Sequence, residues 1–98
     1  MNAERAEAYG RVMNTLADMG PAKLQPREQN LVREAADAML FSEDYETDAH
    51  AQMAFDALEE MVERLVESDR WMMQAADRLL RDVEDCGPLV PVDVLAAA

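Results

Sequence analysis

The chain has 98 residues, of which 50% are hydrophobic and 31% are charged, and this length and composition are typical of one folded domain, residues 1–98. It carries 21 acidic and 9 basic residues, which gives a formal net charge of −12. Nucleic-acid backbones and anionic lipid surfaces are negative themselves, so this charge argues against direct binding to nucleic acid or to a membrane.

The lack of recognisable targeting signals and the presence of a single cysteine predict a cytoplasmic protein. The first ten residues lack the basic start and apolar run of a secretory signal. No stretch reaches the ~20 consecutive apolar residues that span a bilayer. Cys86 is the single cysteine, so an internal disulfide is excluded.

The spacing of apolar residues predicts a helix over residues 3–19 and another over 26–41. Gly20-Pro21 is expected to end the first helix. Pro26 is expected to begin the second, because the first helical position needs no backbone N–H partner. The residues expected to face inward are Tyr9, Val12, Met13, Leu16, Val32, Ala35, Ala36, Met39 and Leu40.

Two more helices are predicted over residues 47–67 and 69–86. Asp44 or Thr47 is the expected N-cap of the third helix, and Ser68 or Asp69 that of the fourth. An extended apolar tail is predicted over residues 88–98. The residues expected to face inward are Ala54, Leu58, Met61, Val62, Leu65, Met72, Ala75, Ala76, Leu79 and Val83.

Short connections between helices favour antiparallel neighbours. The expected fold class is therefore all-α, a compact four-helix bundle followed by the short extended tail.

The negative charge is concentrated in one part of the chain. Residues 42–69 contain ten acids and one base, which accounts for −9 of the net charge of −12. On the third helix the acids fall within ~100° of one another, opposite the apolar stripe. These residues are Asp56, Glu59, Glu60, Glu63 and Glu67.

Repulsion along this helix is expected to be poorly compensated. Like charges one helical turn apart each cost a few tenths of a kcal/mol, and the only opposite pair at that spacing is Glu60–Arg64. The second and fourth helices place opposite charges one turn apart instead, in the pairs Arg33–Asp37, Asp77–Arg81, Arg78–Asp82 and Arg81–Asp85.

Two interpretations of the acidic face compete. It is either a solvated surface that keeps the protein soluble, or a docking surface for a basic partner. That partner would be a cationic protein, or a nucleic-acid-binding enzyme whose basic channel the carboxylates occupy by mimicry.

The sequence offers little for catalysis or metal binding. Asp44, Glu46, Asp48 and His50 alternate as in the first half of a calcium loop, but the glycine and glutamate that such a loop requires are replaced by Ala49 and Phe55. No zinc spacing, phosphate loop or nucleophile motif is present. We expect no catalytic residues, no metal and no cofactor.

The fourth helix offers apolar binding surface. Its apolar residues cover ~160° of its circumference, more than the ~100° that one core face requires. Met73 and Leu80 lie on one flank, and Trp71 is expected on the opposite margin. These residues either fill the core, lie under the tail, or form a partner groove or homodimer interface.

The function expected from the sequence is therefore that of a small acidic, non-enzymatic protein-binding module, an inhibitor or regulatory adaptor. The alternatives are a nucleic-acid mimic that blocks a DNA- or RNA-handling enzyme, and a structural subunit that dimerises through the fourth helix. The candidate partner-binding residues are Asp56, Glu59, Glu60, Glu63, Glu67, Trp71, Met73 and Leu80.

Overall fold

Four amphipathic helices make up most of residues 3–88, the part of the chain that the computed structural model describes. They are α1 (Ala3–Lys23), α2 (Pro26–Leu40), α3 (Ala49–Glu67) and α4 (Met73–Cys86). A short 3₁₀ helix, Tyr45–Thr47, precedes α3, and residues 3–88 contain no strand. The predicted all-α bundle is confirmed. Residues 89–98 of the predicted tail lie outside the described part.

Contacts between the helices show how they are arranged. Arg5 near the start of α1 reaches Leu40 at the end of α2 and Cys86 at the end of α4. Arg70, just after α3, reaches Glu28 at the start of α2. Consequently α1 runs antiparallel to α2 and α4, and α2 runs antiparallel to α3.

The core contains most of the residues predicted to face inward. All five predicted for α2 are buried, as are Val12 and Leu16 of α1. Phe55 is also buried, although it was not among the residues predicted to face inward. The prediction that Met72 faces inward is wrong, because Met72 is 72% exposed and precedes the first turn of α4.

The predicted end of α1 at Gly20-Pro21 is wrong, since the helix continues to Lys23. A proline removes one backbone hydrogen bond and favours a helix end. Such local preferences are weak, and tertiary packing commonly overrides them. Leu24 lies immediately after the helix, is only 5% exposed and belongs to the hydrophobic core.

The predicted start of α4 at residue 69 is also wrong, because Ser68 and Asp69 end α3 instead. The amide of Arg70 donates to the Leu65 carbonyl, and the amide of Asp69 donates to the Val66 carbonyl. Asp69 has a positive φ of 61°. These features form a Schellman motif, which satisfies the last carbonyls of a helix. The fourth helix therefore starts only at Met73.

The N-terminal cap of α3 is Asp48, not Thr47. The Asp48 carboxylate accepts a hydrogen bond from the Ala51 amide at 3.0 Å, and this bond lowers the pKa of Asp48. Asp44 caps the 3₁₀ helix instead, by accepting from the Glu46 amide at 3.1 Å. The alternating acids of this segment thus have local structural roles as caps.

Charged pairs connect different helices rather than successive turns of one helix. Arg11 of α1 donates from Nε to Asp82 of α4 at 2.9 Å, and its Nη2 lies 3.6 Å from Asp85. The Tyr9 hydroxyl donates to Asp37 at 2.7 Å. The oppositely charged residues spaced one turn apart within α2 and α4 are all more than 4 Å from each other in the described residues, and Asp37 and Asp82 have partners on α1 instead. The antiparallel packing brings oppositely charged residues of neighbouring helices closer together than residues one turn apart on the same helix.

Glu28 and Arg70 form a two-point ion pair between α2 and the α3–α4 connection. The Arg70 Nη1 and Nη2 groups donate to the two carboxylate oxygens of Glu28 at 3.0 and 2.9 Å. The same carboxylate accepts from the Gln25 amide at 2.8 Å. The hydrogen bonds from Arg70 lower the pKa of Glu28.

Replacing this carboxylate is expected to change the pH dependence of stability. Because folding lowers the pKa of Glu28, its contribution is complete above the unfolded value of about 4.3 and is lost as pH falls through the folded value. We expect Glu28→Gln to lower the free energy of unfolding by about 0.5–1 kcal/mol at pH 7. The difference from wild type should shrink towards zero in urea unfolding at the lowest pH at which both still fold. A difference that stays constant with pH would contradict this role.

Within the described part of the chain, none of the helices combines the length and the hydrophobicity that crossing a membrane requires.

Candidate functional site: an acid-rimmed groove between α3 and α4

The acidic face of α3 is exposed and lacks counter-ions within the described residues. All five predicted carboxylates have exposed side chains, and none lies within 4 Å of a cationic group of residues 3–88. The side chains of the predicted Glu60–Arg64 pair are also more than 4 Å apart. The negative charge of this face is therefore available to an external partner.

The antiparallel neighbour α4 adds to this charge. Burial and then the nearby charges of Asp56, Glu84 and Glu63 raise the pKa of Glu59. Burial and then Asp56, Glu59 and Glu84 raise the pKa of Tyr45. The sequence did not single out Glu84, because a helical wheel of α3 carries no information about the residues of its neighbour.

A groove of about 360 Å³ runs between α3 and α4. Its apolar lining residues come from both helices: Val62, Val66, Met73, Ala76 and Leu80. Its acidic lining residues also come from both: Glu59, Glu63, Glu67 and Asp77. We call this feature the acid-rimmed groove. It joins an apolar contact surface to the charge of α3.

The helix positions explain this lining. On α3, Glu59, Glu63 and Glu67 are spaced by one turn each, and Val62 and Val66 follow the same spacing on the adjoining strip of the helix. Helix α4 contributes residues at i, i+3, i+4 and i+7 from Met73 to Leu80. Each helix therefore presents one face to the groove.

Five predicted partner-binding residues come together in this groove: Glu59, Glu63, Glu67, Met73 and Leu80. Met73 is 65% exposed, whereas Leu80 is half-buried against the core. Asp56 and Glu60 belong to the same acidic helix without lining the groove.

The predicted position of Trp71 is wrong. It lies in the connection before α4 rather than on that helix, and it is only 5% exposed because it packs into the core. Because α3 ends in the Schellman turn at Asp69, the chain folds back and the indole is directed inward. Trp71 therefore offers no contact surface.

A second groove of about 300 Å³ lies where α2 meets the start of α3. Phe41 is 73% exposed there, beside Glu34, Asp37, Asp48 and His50. Among the described residues, its apolar lining consists of Phe41 and Ala38. Asp37 and Asp48 already accept hydrogen bonds within the chain. This groove lacks the apolar floor of the acid-rimmed groove.

The one cysteine of the sequence, Cys86, is buried. Burial raises the pKa of the Cys86 thiol to about 11, and its Sγ donates to the Asp82 carbonyl at 3.3 Å. A protonated, buried thiol is a poor nucleophile. No group of three or more His, Cys, Asp or Glu side chains in residues 3–88 is arranged to hold a metal ion.

Comparisons with known protein families, with curated proteins and with solved structures find no match to this chain.

Proposed function

We propose that this chain is a small non-enzymatic protein-binding module, an inhibitor or regulatory adaptor, which docks a basic partner through the acidic face of α3. The observation that supports this proposal most strongly is the lack of counter-ions described above. Five exposed carboxylates lie on one helix without a cation of residues 3–88 within 4 Å. A cytoplasmic location, predicted from the sequence, is part of the proposal.

The cost of this arrangement in folding stability supports the interpretation that the acidic face serves binding. Burial, and after it the like charges nearby, raises the pKa of Glu59, so folding disfavours its charged form. Three carboxylates of residues 3–88 have an arginine within 4 Å, those of Glu28, Asp82 and Asp85, and none of the three belongs to α3. A surface that keeps unfavourable like charges together is typical of a site where function outweighs stability.

Electrostatic docking predicts a strong dependence on salt. The range of charge interactions falls from ~30 Å at 0.01 M to ~8 Å at 0.15 M ionic strength, so we expect the association rate to fall about tenfold or more over that range. The immobilised protein should retain a basic protein from cell extract at low salt and release it as salt rises. Stopped-flow or surface plasmon measurements on the purified pair then give the rate. An association rate indifferent to ionic strength would overturn the proposal.

The nucleic-acid mimic is separated from the adaptor by competition. A mimic occupies the channel that its target uses for nucleic acid, so an oligonucleotide should displace it from the captured protein. An adaptor that docks elsewhere on a basic protein keeps its affinity when the oligonucleotide is bound. The measurement is the affinity of the captured protein for this chain with and without saturating oligonucleotide.

A homodimer through the groove is disfavoured on physical grounds. Most dimers have two-fold symmetry, in which the same patch of both copies meets. Such an interface would bring two copies of the Glu59, Glu63 and Glu67 row together. Sedimentation over a dilution series tests this, and a dimer broken by Leu80→Ala would contradict our assignment of the groove to a basic partner.

A further inference from the structure

We infer that the occupant of the acid-rimmed groove is a single amphipathic α-helix of the partner, with an apolar stripe flanked by lysine or arginine residues. This inference rests on the proposed function and goes further, because it assigns the secondary structure, the contact pattern and the charge placement of the bound segment.

The dimensions of the groove suit a short helical contact. Glu59 and Glu67 are eight residues apart on α3, and Met73 and Leu80 are seven apart on α4. At ~1.5 Å per residue these walls are about 12 and 10 Å long, which is about two helical turns. Apolar anchors at i, i+3 or i+4, and i+7 of a partner helix cover the same length.

The walls of the groove favour a helix over an extended peptide. The walls are the C-terminal half of α3 and the N-terminal half of α4. Most of their backbone N–H and C=O groups are bonded within the helix, and the exceptions lie in the terminal turn of each helix. A bound strand would therefore find few backbone partners along these walls, and most of its own polar groups would lose water without replacement. A helix satisfies its backbone internally and needs only side-chain contacts.

The acids of the groove specify where the partner is positive. Glu59, Glu63 and Glu67 come from the α3 wall, and Asp77 comes from the α4 wall. The partner helix should therefore carry basic residues on both flanks of its apolar stripe, with more of them on the flank that faces α3. The acidic lining disfavours an uncharged apolar helix or an anionic lipid surface.

The test uses a synthetic peptide of roughly four helical turns, with leucines on one stripe and lysines and arginines on both flanks. A second peptide has the same composition but a scrambled order that abolishes the stripe, and a third has glutamate in place of each basic residue. Affinity for the full chain is measured by fluorescence anisotropy. We expect the first peptide to bind at least about tenfold more tightly than the scrambled one, a difference of about 1.4 kcal/mol.

Variants of the protein locate the binding site. Met73→Ser should weaken binding of the first peptide several-fold, as should Leu80→Ala, because each removes apolar area from the groove. Met53→Ser is the matched control, since Met53 is 72% exposed on α3 and does not line the groove. Circular dichroism of each variant establishes that the helices are intact. Equal effects of Met53→Ser and Met73→Ser would overturn the inference.

The peptide series separates failure of this inference from failure of the proposed function. If the helical and scrambled basic peptides bind equally, the groove does not select a helix, whereas charge-based docking stands. If the acidic peptide binds as well as the basic ones, the acidic face does not select a cationic partner and the proposed function is wrong as well.

Discussion

Replacing Arg5 by methionine is expected to lower the free energy of unfolding by about 2–4 kcal/mol, the largest stability effect that we predict for an exchange of one charged residue. The carbonyl oxygens of Met39, Leu40 and Ser42 lie 2.7–2.8 Å from the Arg5 Nη2 group and share its two N–H donors. Its Nε donates to the Cys86 carbonyl at 2.8 Å. One guanidinium thus binds the C-terminal ends of both α2 and α4.

The physical reason is that the last carbonyls of a helix lack partners within the helix and carry partial negative charge. Methionine has a long, flexible apolar side chain but no hydrogen-bond donors. These carbonyls therefore lose the hydrogen bonds that Arg5 donates. Arg5→Lys should recover only part of the loss, because an ammonium group lacks the planar fork of donors that reaches two helix ends at once.

Urea unfolding followed by circular dichroism measures this effect, with Arg33→Met as the matched control. Arg33 is an exposed residue of α2, and within residues 3–88 its one hydrogen bond goes to Asn30, at 3.4 Å. Both substitutions remove one positive charge from a chain of net charge −12. A loss for Arg5→Met no larger than that for Arg33→Met would show that general charge repulsion, not the helix ends, accounts for it.

The role of Arg5 had no signature in the sequence. The hydrogen bonds described above join Arg5 to backbone carbonyls 34 to 81 residues away, and every residue type has such a carbonyl. Periodicity reports which side of a helix is buried, so the inward residues of α2 were predicted correctly. It does not report which helix ends meet, and that information arises only from the antiparallel packing.

The same limit explains which parts of the candidate site were predictable. The acidic face of α3 and the flank residues Met73 and Leu80 follow from helical spacing alone. The contributions of Asp77 and Glu84 from α4 depend on how two helices pair. Trp71 was misplaced because Ser68 and Asp69 are suitable residues both for starting a helix and for the turn that ends one.

Neutralising the acids of the α3 wall is expected to slow binding while leaving the fold at least as stable. The charge variant is Glu59→Gln, Glu63→Gln and Glu67→Gln together. At low salt we expect it to associate with the basic helical peptide about ten to a hundred times more slowly than wild type does. Stopped-flow fluorescence measures the rate.

The stability of this variant should move in the opposite direction. Folding raises the pKa of Glu59, so its stabilising contribution is present below the unfolded pKa and is lost as pH rises through the folded pKa. At pH 7 the charge therefore opposes folding. Relief of like charges one turn apart adds a few tenths of a kcal/mol for each pair. Urea unfolding at pH 7 should show an unchanged or larger free energy of unfolding, and a clear loss would assign these glutamates a structural role instead.

A variant with equal charge elsewhere distinguishes the local site from the net charge of the protein. Glu34→Gln, Glu43→Gln and Glu46→Gln together also remove three negative charges, from exposed positions outside the groove. If the acid-rimmed groove is the docking site, this control associates at close to the wild-type rate. If both variants slow association equally, only the overall field of the molecule attracts the partner. If the acidic surface is maintained for recognition, the groove variant alone should bind more slowly, and it should do so without losing stability.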